Sequence, residues 1–127
     1  MRRRVVSCSS VARPAAQGHL YSPDEVFALT EVFLRVYKDP KYTLVAVCDS
    51  DLLGETFREG KLKLEVKPNF YGGVRTTVTD ALAAIDTADI ANLVGETIVQ
   101  AAVGRSLVDP SAILHICGVP HVQIVRM

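Results

Sequence analysis

The stretch EVFLRVYKDPKYTLVAVC, residues 31 to 48, decides the fold. From Glu31 the apolar residues recur at every second position. Val32, Leu34 and Val36 project to one side and Phe33, Arg35 and Tyr37 to the other, as in a half-buried strand. Asp39 and Pro40 then turn the chain. The following TLVAVC is apolar on both sides and reads as a central strand. The two segments predict a hairpin around which the other elements must be placed.

Downstream, KLKLEVK (61 to 67) alternates again. Leu62, Leu64 and Val66 are expected inward and Lys61, Lys63, Glu65 and Lys67 outward, giving a third strand; LLG before it reads as a single helical turn. Thr77 or Thr79 can cap a helix over VTDALAAI. Asp86 or Thr87 can cap a second helix from about Ala88 to Val103, with Ile90, Val94, Ile98 and Ala101 on one stripe and Gly104 at its end. Asp89, Asn92, Glu96 and Gln100 would share its wetted side, and Gly95 signals close packing against another backbone. AILHIC and HVQIVR, joined through Gly118, Val119 and Pro120, predict a terminal hairpin. This order predicts an α+β fold: a two-layer sandwich in which a mainly antiparallel sheet of about five strands carries two main helices on one face.

A chain of 127 residues is long enough for one core and too short for two ordinary domains. Residues 1–30 read as a flexible basic N-terminal arm with a short helix from about Pro23 to Thr30, capped by Ser22. Residues 31–127 read as a single α+β domain. The arm carries Arg2, Arg3, Arg4 and Arg13 against Asp24 and Glu25, and its start also has the composition of an organelle transit peptide. Formal net charge is +0, which excludes a strongly electrostatic nucleic-acid binder but not one with separated patches. No apolar run approaches the roughly 18 residues of a membrane span. Three cysteines without a CxxC pair are expected as free thiols in a reducing, cytoplasmic compartment.

Four strings, LVAVCDSDLLGETFREGKLKLEV (44 to 66), NFYGG (69 to 73), ADIANLVGE (88 to 96) and GVPHVQIV (118 to 125), occur in the order of a known family. The chain resembles, over roughly residues 33 to 126, the uncharacterised archaeal family called domain of unknown function 424. The resemblance implies a small two-layer alpha and beta domain of an archaeal cytoplasm and brings no established activity. The first 30 residues lie outside its pattern.

Among candidate sites, the broadest is the sheet face turned away from the helices. Alternation puts Phe33, Arg35, Tyr37, Lys61, Lys63 and Lys67 there, and rings for stacking bases beside cations for phosphates are the chemistry of single-stranded RNA binding. An ordinary solvated sheet face is the competing reading. Gly72, Gly73, Arg75, Thr76 and Thr77 form a second candidate, an anion site where two glycines and a helix N-terminus could receive a phosphate; against it stands the commoner use of Gly-Gly as a turn. His115, Cys117 and His121 form a third, since two imidazoles and a thiolate can converge on zinc, although no C-x-x-C knuckle accompanies them. Zinc is thus the minority reading, and no other cofactor is expected. Cys117 with a histidine is a better nucleophile pair than Cys48, whose thiol the neighbouring Asp49 and Asp51 would disfavour as a thiolate. Asp49, Asp51 and Glu55 could hold a hard cation, but their composition equally suits turns and caps.

These readings rank a non-enzymatic module that docks RNA or a ribonucleoprotein first. A small enzyme or metal-binding protein using His115, Cys117 and His121 comes second, and a protein-protein adaptor third.

Overall fold

The computed structural model describes the backbone of Arg4–Ser7 and residues 31–126. Nine strands and three helices are described in chain order. The strands are β1 (Arg4–Ser7), β2 (Glu31–Lys38), β3 (Thr43–Asp49), β4 (Glu55–Glu59), β5 (Leu62–Glu65), β6 (Val74–Thr77), β7 (Ile90–Val94), β8 (Leu114–Ile116) and β9 (Val119–Val125). The helices are α1 (Pro68–Tyr71), α2 (Val78–Thr87) and α3 (Glu96–Gly104). A six-stranded sheet runs in the order β6-β2-β3-β7-β9-β8. Every neighbouring pair in it is antiparallel except β3 with β7. The fold is therefore α+β with a mainly antiparallel sheet, as the alternation of residues 31 to 48 predicts.

The β2–β3 hairpin has the expected parity. Val32, Val45 and Val47 face α2 and α3 in one core with Val78, Leu82, Ile85, Ile98 and Val99. A short helical turn does precede β4, but at Ser50–Leu52 rather than over Leu52–Gly54. The terminal hairpin also forms, but its tight turn is Cys117-Gly118, both at positive φ (54° and 75°), the geometry of a primed turn. Pro120 lies inside β9, and no described peptide bond is cis.

Two elements correct the sequence reading. The second helix begins at Glu96, not near Ala88, because Ile90–Val94 is a strand. Gly95 separates them at φ +115°, ψ 149°, a conformation essentially restricted to glycine. The proposed polar stripe of Asp89, Asn92, Glu96 and Gln100 therefore does not lie on one helix. The second correction concerns KLKLEVK. Its strand β5 does not join the main sheet but pairs with β4, itself extended in parallel by β1. Of the remaining strands, β1, β4 and β6 have no counterpart in the sequence reading, and β6 makes an edge strand of the segment expected to be an anion loop. The expected helix over 23–30 lies outside the described residues.

This small sheet covers the side of the main sheet opposite α2 and α3. Phe57, Leu64, Val66 and Tyr71 form a second core there with Ala46, Cys48, Val94, Ile116 and Val119. Leu62, predicted inward, is 44% exposed at the hairpin end. Cys117 N donates to Glu59 Oε1 at 2.8 Å and ties the two sheets together. No described helix is long and apolar enough to cross a membrane.

Candidate functional site

The face expected to be open is covered at its centre; toward the β6 edge β2 presents an exposed Arg35 between Phe33 and Tyr37, whose rings are half-buried against the second core. Strand register sets Arg75 of β6 directly opposite Phe33, with its guanidinium 5.2 Å from the ring centroid. Arg35 stands 5.4 Å over the ring of Tyr37 and donates to Asn69 O at 3.0 Å. Tyr37 stacks on Phe70 at 5.4 Å, and its hydroxyl is 2.7 Å from Phe70 O and 3.2 Å from Asn69 O. Two cations and three rings thus form one continuous patch with α1 fixed against it.

The lysines of the sequence reading do not join it. Lys61 sits in the β4–β5 turn, and Lys63 on β5 pairs with Glu65 at 2.9 Å. Lys67 immediately precedes α1 and lines a neighbouring cleft.

That cleft, of about 360 Å³, is lined by Leu64, Glu65, Lys67, Phe70, Tyr71, Asn92 and His121. Asn92 and His121 rise from adjacent strands: Asn92 pairs with Gln123 and His121 with Val94, so they are diagonal neighbours on one face. Burial pushes the His121 imidazole below its ordinary range, leaving it neutral at neutral pH with one donor and one acceptor nitrogen. Tyr71 is almost completely buried. Its phenol is pushed up, first by desolvation and then by Cys48.

The other candidates separate. Register places His115 opposite Pro120 and His121 opposite Leu114, so the two imidazoles point to opposite faces of the terminal hairpin. Cys117 is engaged elsewhere, its N meeting Glu59 Oε1 at 2.8 Å and its Sγ lying 3.0 Å from Arg58 O. Of the thiols expected to be free, Cys48 is free and buried. Among the described residues no group of three His, Cys, Asp or Glu is placed to hold a metal.

The Gly72, Gly73, Arg75, Thr76 and Thr77 segment is not a cradle. A β-carbon on Gly72 would meet Pro68 O, and one on Gly73 would meet Leu34 O and lie 2.9 Å from Arg35 Cα. Both glycines therefore answer to close backbone approach. Thr77 caps α2 by accepting from Asp80 N at 3.2 Å, and Asp80 already places a carboxylate in the first turn.

Nor do Asp49, Asp51 and Glu55 form a cation cage. The Asp49 carboxylate accepts from Thr97 N at 2.9 Å and Ile98 N at 3.1 Å at the start of α3. Its pKa is still pushed up to about 6, because burial outweighs those hydrogen bonds.

The family model described as "Protein of unknown function (DUF424)" matches residues 37–127. The chain belongs to this family. It is also similar to a solved structure titled "Crystal structure of an uncharacterized conserved protein from Methanopyrus kandleri", with 25% identity, a TM-score of 0.62 and coverage of 74% of this chain and 90% of that one. No curated protein matches it.

Within this DUF424 chain, Phe70, Tyr71 and Asn92 are the site residues that sequence reasoning missed. Phe70 and Tyr71 immediately precede the Gly-Gly pair weighed as an anion site or a turn, and Asn92 stood on the wetted side of a helix that is a strand. The signal for Asn92 was present: once Ile90–Val94 is extended, Ala91 and Leu93 must face the helices and Asn92 the other side.

Proposed function

We propose that this DUF424 protein is a non-enzymatic binding module of the cytoplasm that takes single-stranded RNA, free or in a ribonucleoprotein, on the patch formed by Phe33, Arg35, Tyr37, Arg75 and Phe70. The observation that carries this reading is the pairing of two exposed arginines with half-buried rings, Arg35 with Tyr37 and Arg75 with Phe33, along one edge. Guanidinium over a ring gives a flat, charged surface on which a base can stack while its phosphate meets the remaining N–H donors. Arg75, expected from the sequence in an anion loop, takes the part that the displaced lysines were expected to play. With formal net charge +0, such a surface acts locally and is sensitive to salt.

The test is fluorescence anisotropy of labelled single-stranded RNA at low and high salt. Binding at low salt that falls with added salt, and that weakens at least tenfold in the Arg35→Ala, Arg75→Ala double variant, is the expected result. Absence of binding at low salt refutes the reading.

A further inference from the structure

The cleft beside this patch has polar tips that the fold itself does not use. Among the described residues, neither the Asn92 amide, the His121 imidazole nor the Tyr71 hydroxyl has a hydrogen-bond partner in the protein. All three line the same cleft, beside the apolar second core that contains Ala46, Cys48, Leu64, Val94 and Val119. None of the three is sealed from solvent, so each is available to a molecule that enters the cleft and exchanges its water for protein contacts.

Their chemistry restricts what that molecule is. An amide, a neutral imidazole and a phenol each offer both a donor and an acceptor and carry no charge, so the part that enters is neutral and itself alternates donors and acceptors. The wall beside them is aromatic. Phe70 is held by its stack on Tyr37 and its edge contact with Tyr71, at 5.4 and 5.0 Å, and offers a fixed flank to a planar ring. Charge is confined to Glu65, which Lys63 meets, and to the exposed Lys67, which leaves Lys67 as the cation available to an anionic substituent. A volume of about 360 Å³ lies at the small end of ligand sites.

We propose that this cleft takes a single nucleobase, its hydrogen-bonding edge toward Asn92 and His121, its plane against Phe70 and its phosphate toward Lys67. This deepens the RNA reading and rests on it for the source of the base, since Phe70 belongs to both surfaces. A free mononucleotide presents the same chemistry.

The experiment follows the ring signals of His121 and Tyr71 by NMR in the full chain while AMP, GMP, CMP and UMP are added separately, and then a single-stranded oligonucleotide. A saturable shift of the His121 ring with at least one mononucleotide, weakened tenfold or more by Asn92→Leu, is expected. Asn92→Asp, which exchanges an amide donor for acceptors without changing shape, provides the same comparison if the leucine variant does not fold. Oligonucleotide binding that shifts Phe33 and Arg35 while leaving His121 still, with no mononucleotide effect, overturns the cleft assignment and spares the RNA reading. Mononucleotide binding without oligonucleotide binding sustains the cleft and overturns the RNA reading. No shift at His121 with any of these probes overturns the nucleobase proposal.

Discussion

The carboxylate of Asp49 occupies the space in which a side chain of Gly95 would stand: a β-carbon on Gly95 would run into Asp49 Cγ and lie 2.6 Å from Oδ2. The end of β3, the end of β7 and the start of α3 therefore meet at one point. Gly95→Ala has to strain a φ of +115° and displace the carboxylate from Thr97 N and Ile98 N. A loss of about 2 kcal/mol or more is expected, read as a lower denaturant midpoint with an unchanged slope. A midpoint equal to that of the wild type would show that α3 does not depend on this contact.

Asp49 also makes stability depend on pH. Its folded pKa of about 6 stands above the ordinary 3.8, so between those values the folded chain holds the proton more tightly than the unfolded chain. The stabilisation from this group is fully present below pH 3.8 and is lost as pH rises through 6. The stability of the wild type relative to Asp49→Asn should fall over that interval and stay constant above it. Chemical denaturation of both proteins across the range measures this, and a difference that rises with pH would contradict the assignment.

These two residues also show what the sequence made legible. Gly95 was readable as a close approach because a glycine that interrupts an apolar run, at a cost in propensity, marks a point where two backbones crowd together. The partner, Asp49, was not readable, since it lies 46 positions earlier in the chain. The strand over Ile90–Val94 was hidden because Ile90, Val94 and Ile98 also fit a helical stripe, and only the backbone conformation at Gly95 separates the two. TLVAVC carried more than was taken from it. A strand apolar on both sides needs cover on both, so the opposite face had to meet something, and β4, β5 and α1 are that cover. β4 itself buries two consecutive residues, Thr56 and Phe57, and so gives no alternation to detect. The patch was half legible: parity placed Phe33, Arg35 and Tyr37 correctly, whereas Arg75 depends on a strand pairing that periodicity cannot supply.

Cys48 is expected to be inert in the folded chain. Burial, followed by Asp49 and Asp51, pushes its pKa up to about 12 from 9.0. Its thiolate fraction near neutral pH is therefore about a thousandfold below that of an ordinary thiol, and no part of the residue reaches solvent. Alkylation followed by peptide mass spectrometry should find Cys48 unmodified under native conditions and rapidly modified in denaturant. Native labelling at the rate of a small thiol would disprove the buried placement.

Tyr37 links the β2 patch to α1, and its hydroxyl and ring can be separated. The hydroxyl bonds to Phe70 O at 2.7 Å while the ring stacks on Phe70. Tyr37→Phe keeps the stack and removes the hydrogen bond, so a loss of about 1 kcal/mol is expected. Tyr37→Leu removes both and should cost about 1 kcal/mol more, as an aromatic pair does beyond its buried area. The two variants also divide the functional argument, because Phe70 borders the cleft as well as the patch. If the ring supplies stacking, RNA affinity survives in Tyr37→Phe and drops at least fivefold in Tyr37→Leu at matched salt. Equal affinities in the two variants would mean that the ring only braces α1, and the bound bases would then have to lie against Phe33 and Arg75 alone.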